Sequence, residues 1–243
     1  MASHTSVILL AAGRGERFGP DRLKTLAPLA GRPLVLHSLL AFDAHPEVTE
    51  IVLVAPPGQD LPWRNFMLRD VAAPKLRATV PGGERRQDSV RAGLAAISAD
   101  SELLLIHDAA RPLVPASLIG RVLAAAREHG AAVPVLPVPD TVKRVAGGFV
   151  VATLAREELG LAQTPQGFRV ALYREALAAA DRDGVATADD VALVERLGRP
   201  VAAVEGAREA LKVTTPEDLA ALESLLAASD RAEIGRASCR ERV

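Results

Sequence analysis

The chain has 243 residues, long enough to bury one sizeable core, and 49% of them are apolar. Its 29 basic and 30 acidic side chains leave a formal charge of −1, which excludes a global field drawing it to nucleic acid or to an anionic membrane, so any basic site has to be local. Cys239 is the sole cysteine, which excludes an intramolecular disulfide and a cysteine-cluster metal site and suits a reducing cytoplasm; the apolar run from Val7 to Ala12 is too short for a membrane span or a signal-peptide core.

Short β-branched and leucine-rich runs alternate with longer alanine-rich segments. In chain order, the pattern predicts a strand at Ser6 to Ala11, a helix at Pro33 to Ala44, then strands at Glu50 to Val54 and Leu76 to Val80. A helix at Gln87 to Ser98, a strand at Glu102 to Ile106, a helix at Pro115 to His129 and a strand at Ala131 to Leu136 follow. Helices at Ala171 to Ala180 and Asp189 to Leu197, a strand at Pro200 to Val204 and a helix at Pro216 to Ala227 complete the series. This alternation implies an α/β fold: one domain, residues 1–228, with a mostly parallel twisted sheet covered by helices on both faces. Two stretches break the rhythm. Residues 137–166 carry Pro-Val-Pro-Asp, Gly147-Gly148 and a short Phe149-Val-Val run, the signature of a protruding β-arm able to meet a partner subunit. Residues 229–243 have no apolar periodicity and are expected to be a disordered tail, a cloning remnant without function.

Three motifs fall at strand ends. Leu10-Ala-Ala-Gly-Arg-Gly-Glu-Arg-Phe-Gly19 follows the first strand, where an open parallel sheet binds its ligands and glycines let backbone N–H groups approach phosphate oxygens. Its glycine spacing matches neither G-x-G-x-x-G nor a P-loop. Taken alone it reads as well as a flexible turn with solvated basic side chains, but Arg14, Arg17, Arg22 and Lys24 tilt it toward a polyphosphate site. In Leu103-Leu-Leu-Ile-His-Asp-Ala-Ala-Arg-Pro112 an apolar strand ends abruptly in polar groups. There Asp108 is either the ligand of a Mg²⁺ ion, which takes hard oxygen donors, or a turn cap paired with Arg111. In Pro81-Gly-Gly-Glu-Arg-Arg-Gln-Asp-Ser-Val90 two glycines precede a helix start, either exposing backbone groups and Ser89 to a base edge or simply capping the helix through Glu84 or Asp88. Further along stand Pro139-Asp-Thr-Val-Lys-Arg144, Arg156, Gln163-Thr-Pro-Gln-Gly167, Ala186-Thr-Ala-Asp-Asp190 and Leu211-Lys-Val-Thr-Thr-Pro-Glu-Asp218, the last a helix start capped by Thr215. The histidines show no metal-ligand spacing, and no serine or threonine stands beside a base in a recognisable order.

Together, Leu-Ala-Ala-Gly-x-Gly-x-Arg with Lys24 seven residues after Arg17, Gly-Gly-x-x-Arg-x-x-Ser-Val, His-Asp-Ala-Ala-Arg-Pro, Asp-Thr-Val-Lys and Leu-Lys-Val-Thr-Thr-Pro-Glu-Asp-Leu resemble the 2-C-methyl-D-erythritol 4-phosphate cytidylyltransferase family over residues 6–226. The resemblance implies a Rossmann-like nucleotidyltransferase fold and transfer of CMP from CTP to a sugar-alcohol phosphate of the non-mevalonate isoprenoid pathway, with release of pyrophosphate. It implies Arg17 and Lys24 as catalytic cations beside the triphosphate, Ala12 and Gly13 near the nucleotide, and Gly83 and Ser89 on cytosine. Asp108 would bind Mg²⁺, and Arg111, Thr141, Arg156 and Lys212 would surround the acceptor, some across the interface of an arm-exchanged homodimer. The sequence departs from the family pattern at Glu84, where Asp is frequent, at Ala188 in place of Thr, and at Ala210-Leu-Lys in place of Asn-Ile-Lys. Ribitol 5-phosphate cytidylyltransferases share most of these motifs and define the nearest alternative acceptor. A nicotinamide-dependent oxidoreductase is disfavoured by the glycine spacing, and a non-catalytic CTP-binding module is the remaining alternative.

The expected mechanism is in-line attack by the acceptor's phosphate oxygen on the α-phosphorus of CTP, without a covalent enzyme intermediate. A phosphomonoester with its second pKa near ~6 is already an anion at neutral pH, so no strong general base is required. Bringing two anions together and stabilising the charge that develops is electrostatic work, assigned to Arg17, Lys24 and Mg²⁺.

Overall fold

The computed structural model describes residues 3–13, 18, 24–59, 62–63, 65 and 72–227. The predicted tail, 229–243, and Arg14, Arg17 and Arg22 of the basic loop lie outside the described residues. The first strand, β1 (Thr5–Leu10), is buried along nearly its whole length and sits mid-sheet, flanked in parallel by β4 (Glu50–Ala55) and β6 (Leu103–Asp108). Near-continuous Val, Ile and Leu suits strands covered on both faces. Next to β4 lies β5 (Leu76–Pro81), again parallel. The small β2 (Pro28–Leu29) and β3 (Arg32–Pro33) form a separate ribbon ahead of α1 (Leu34–Ala44). The other helices are α2 (Arg86–Ala96), α3 (Ala116–His129), α4 (Val170–Arg182), α5 (Val191–Arg196) and α6 (216–227).

Strand periodicity sorts the core into two layers. Val7 and Leu9 of β1, with Ile51, Leu53, Leu103 and Leu105, face α1 and α3, where they meet Leu39, Phe42, Ile119 and Val122. Ile8, Val52, Val54, Leu104 and Ile106 point the opposite way, onto Val90 and Leu94 of α2, Tyr173 and Leu177 of α4, and Val194 of α5. Each of these side chains is buried, and complete burial of one such residue contributes roughly 1.5–3 kcal/mol. A smaller cluster joins α6 to the chain ahead of α1 through Leu222, Val213, Leu29 and Leu34, with Phe18 packed against it.

The predicted strands and helices all form, with ends shifted by a residue or two, and short strands outside that series are added, β2 and β3 ahead of α1 and two more after the arm. β11 (Gln166–Arg169) inserts antiparallel between β6 and β7 (Ala131–Pro137), where a parallel neighbour would be expected from strand–helix alternation. Its Pro165 and Gly167 disguise it, because both residues usually mark turns. β10 (Gly160–Ala162) prolongs it along the same edge of β7, while β12 (Ala202–Glu205) takes the other edge: Val135 pairs with both Ala162 and Glu205. Between β7 and β10 the chain makes the predicted excursion, a hairpin of β8 (Lys143–Ala146) and β9 (Phe149–Thr153). Gly147 and Gly148 both have positive φ, as the tight turn of a two-residue hairpin demands. The apolar side chains of the hairpin are left exposed: Phe149 is 77% exposed and Val145 60%.

Candidate active site

β1, β4, β5 and β6 run parallel, so their carboxyl ends share one edge, and there they enclose a cleft of about 470 Å³. Leu10, Ala12 and Gly13 after β1, Pro56 and Pro57 after β4, Gly82 to Arg86 after β5, and Asp108 at the tip of β6 line it, together with Lys24, Ser89 and Lys212. A cleft beyond the carboxyl ends of parallel strands is where α/β sheets take their ligands.

One wall is a close meeting of two loops. A Cβ on Gly82 would stand 2.4 Å from the Ala12 side chain and 2.9 Å from the Ser89 hydroxyl, so only glycine lets the loop after β5 approach the loop after β1. Ser89 Oγ accepts the Gly83 N–H at 3.1 Å and donates to the Arg85 carbonyl at 3.3 Å, which ties the glycine pair to the first turn of α2. Asp88, at the third position of that helix, accepts the Arg85 N–H and receives its guanidinium at 2.8 Å. The capping reading of this motif therefore holds through Asp88, and the capped segment forms a wall of the cleft. Gly13 differs from Gly82, since among the described residues nothing lies within 4 Å of where its Cβ would be, and it lines the cleft.

The opposite wall is charged. Asp108 ends β6 in register with Leu10, its Oδ2 receiving Lys212 Nζ at 2.6 Å and its Oδ1 the Arg86 guanidinium at 3.3 Å. Burial alone would push this carboxyl up, but the charges of Arg86 and Lys212 outweigh it and hold the group well below the usual carboxylate range. Arg86 also grips the buried Asp190, which in turn accepts the Tyr173 hydroxyl at 2.8 Å. Burial disfavours the Arg86 cation, yet Asp190 and Asp108 raise its pKa above the ordinary guanidinium value. The turn after β6 is fixed from behind: Thr164 Oγ1 accepts the Asp108 N–H at 3.1 Å and lies 3.1 Å from His107 Nδ1, and His107 Nε2 lies 3.1 Å from the Arg111 carbonyl. A carbonyl only accepts, so Nε2 carries the proton and Nδ1 receives the Thr164 hydroxyl. Full burial lowers the His107 pKa to about 4, which leaves the ring neutral.

Of the residues singled out in the sequence, Ala12, Gly13, Lys24, Gly83, Ser89, Asp108 and Lys212 share this cleft. Arg17 lies outside the described residues. Arg111 stands behind the wall: its guanidinium donates to the Ala210 carbonyl at 2.8 Å and the Ala162 carbonyl at 3.4 Å, and Asp108 pairs with Arg86 and Lys212 in its place. Thr141 and Arg156 lie in the exposed arm region and do not line the cleft within one chain; Arg156 donates to the Pro139 carbonyl at 2.9 Å. Sequence reasoning gave no role to Arg86 or Asp190, although both sit inside quoted motifs. Their separation of 104 residues hides a pair that only folding creates. Among the described residues no group of three or more His, Cys, Asp or Glu side chains is arranged to hold a metal ion. An ionised single carboxylate at a cleft lip still suits Mg²⁺, which takes one or two protein carboxylates and completes its shell with water and substrate phosphates. No helix of the described residues is long and apolar enough to cross a membrane.

Residues 5–228 match the sequence profile of a family described as 2-C-methyl-D-erythritol 4-phosphate cytidylyltransferase. The enzyme of that name from Pelotomaculum thermopropionicum is 44% identical over 92% of this chain and 94% of its own length. The crystal structure of the Thermus thermophilus enzyme of the same name is similar at a TM-score of 0.74 and 40% identity, covering 90% of this chain and 97% of that one. The 4-diphosphocytidyl-2C-methyl-D-erythritol synthase of Anaerococcus prevotii superposes at a TM-score of 0.81 with 28% identity, over 93% and 99% of the two chains.

Proposed function

Because the chain belongs to the 2-C-methyl-D-erythritol 4-phosphate cytidylyltransferase family, we propose that it transfers CMP from CTP to that acceptor, releasing pyrophosphate and giving 4-diphosphocytidyl-2-C-methyl-D-erythritol. The observation that carries the reading is the convergence of a glycine-shaped wall, Lys24, Lys212 and an ionised Asp108 on one cleft at the carboxyl edge of the sheet.

The chemistry follows from charge. The acceptor phosphate is itself a dianion near neutral pH and attacks the α-phosphorus, while the bond to the leaving pyrophosphate breaks. The loop after β1, with Ala12 and Gly13, cradles the phosphates; Gly83 and Ser89 meet the cytosine edge; Lys24 and Arg17 stabilise the charge that builds on the α-phosphoryl group and pyrophosphate. Mg²⁺ held at Asp108 would add further positive charge against the phosphates. Lys212, prepaired with Asp108, is available to the reacting groups as that carboxylate changes partner. In this reading the acceptor pocket is completed by Thr141 and Arg156 from the arm of a second copy. Their distance from the cleft of their own chain and the exposed apolar arm favour that arm-exchanged homodimer. Arg111 is assigned to the acceptor's surroundings, close behind Asp108. Residues 1–228 are taken as one catalytic domain, working in the cytoplasm, where a chain with one cysteine is at ease.

Pyrophosphate release from CTP and Mg²⁺ tests this, with methylerythritol phosphate and ribitol 5-phosphate supplied separately to wild type and Lys24→Ala. Release that needs methylerythritol phosphate and collapses in the variant is expected. Preference for ribitol 5-phosphate would move the acceptor, and no release from folded protein with either would overturn the transferase reading.

A further inference from the structure

Between the last sheet bond of β12 and the cleft, the chain crosses from Gly206, whose N–H donates to the Val135 carbonyl at 2.8 Å, to Lys212. A segment leaving an edge strand in this way is ordinarily among the least stable parts of a fold. Here it is held by a side chain. Gln163 is buried, and its amide treats Ala207 as a strand neighbour: Oε1 accepts the Ala207 N–H at 2.9 Å and Nε2 donates to the Ala207 carbonyl at 2.9 Å. Nε2 also reaches the Ala210 carbonyl at 3.3 Å, which Arg111 engages from the other side at 2.8 Å. A primary amide has the donors and acceptor of a peptide group, so it can continue a backbone ladder where no strand exists.

The surroundings are built for this contact. A Cβ on Gly206 would stand 2.5 Å from Gln163 Oε1 and 3.0 Å from the Val135 carbonyl, so a side chain there would expel the amide. Beyond the clamp, the Val213 N–H donates to the Ala110 carbonyl at 2.8 Å, so Lys212 is fixed on both sides. The next residue after Gln163 is Thr164, whose hydroxyl takes the Asp108 N–H. One dipeptide thus holds both halves of the Asp108–Lys212 pair.

We propose that Gln163 is a positioning residue for Lys212: its amide sets where the lysine ammonium stands against Asp108 and the bound phosphates. The proposal uses the transferase reading for its kinetic readout and stands apart from it structurally. A double-mutant cycle tests it, with Gln163→Leu and Gln163→Glu each made in wild type and in Lys212→Ala. Both remove the donor to the Ala207 and Ala210 carbonyls, and Gln163→Glu keeps the side chain's shape should the leucine variant fold poorly. Turnover by pyrophosphate release is expected to fall roughly tenfold or more in the wild-type background, as for a catalytic group displaced by about 1 Å. It is expected to be unchanged, within about twofold, once Lys212 is absent. Equal losses in both backgrounds, or full turnover in the single variants, would overturn the proposal, since a merely structural role weakens both backgrounds alike. Hydrogen exchange at residues 207–213 is the second readout. Faster exchange there, with β6 unchanged, is expected; unchanged exchange would sink the clamp whether or not the wild type transfers a cytidylyl group.

Discussion

The two edges of the sheet each hold an ionised carboxylate, fully buried at one and part-buried at the other. At the amino edge Glu50, opening β4, is enclosed: Ser6 Oγ donates at 2.5 Å, the Ser98 N–H at 2.7 Å, Arg77 at 2.7 Å, and Ser101 at 3.3 Å. At the carboxyl edge Asp108, ending β6, has two side-chain cations for partners, Arg86 and Lys212, and borders the cleft. Glu50 does not line that cleft. In the proposed reading Asp108 trades its cations for a metal or substrate. On that reading the same carboxylate chemistry serves stability at one edge and function at the other, and the difference lies in which of the two borders the cleft.

This contrast is breakable. The largest effect is expected from Lys212→Ala, which should cost roughly 10²–10³ in turnover while leaving the unfolding midpoint close to wild type, checked by steady-state pyrophosphate release and urea titration. A large fall in stability with turnover retained would place Asp108 and Lys212 with Glu50, as structure. Asp190→Asn removes the charge that anchors Arg86 from behind. It should cost about 3 kcal/mol of stability, the scale of a broken buried ion pair, and lower turnover as well, read by the same two assays.

Glu50→Gln should destabilise by about 2–3 kcal/mol without changing turnover per folded molecule. Its pH dependence has a definite sign. Burial pushes the carboxyl up, but hydrogen bonds from Ser6, Arg77 and Ser98 win and lower it from 4.5 to about 2. The folded value lies below the unfolded one, so the stabilisation is complete above about pH 4.5 and disappears as pH falls toward about 2. Urea midpoints measured between pH 7 and pH 3 should converge for wild type and Glu50→Gln as the solution becomes acid. The smallest effect on folding is expected in the arm. Phe149→Ser should change the stability of the single-chain fold by no more than about 0.5 kcal/mol. In the homodimer reading it should halve the mass seen by light scattering at micromolar protein.

Much of the site was legible because it lies at strand ends. An apolar run that stops at His107-Asp108, or gives way to Gly13 or Gly82-Gly83, announces both a sheet edge and a change of chemistry, and of these Gly13, Gly82, Gly83 and Asp108 line the cleft while His107 is buried. Thr141 and Arg156 followed from resemblance alone, and nothing in their local pattern brings them to the cleft of their own chain. β11 was hidden because Thr-Pro-Gln-Gly has the composition of a turn, while its strand character comes from neighbours on both sides, β6 and β7.

By itself, then, the sequence determined the parallel α/β frame, the projecting hairpin, and the loops at the carboxyl edge, because hydrophobic period and glycine placement are local properties of the chain. Only the tertiary structure decided that β11 runs antiparallel through the sheet, that Asp190 anchors Arg86 against Asp108, and that Gln163 replaces a missing strand beside Lys212. Each of these rests on partners far apart in the chain, Arg86 and Asp190 by 104 positions, Gln163 and Ala207 by 44 and Asp108 and Lys212 by 104. No local period encodes such a partner; it is chosen when burial leaves a polar group with one place to satisfy its hydrogen bonds.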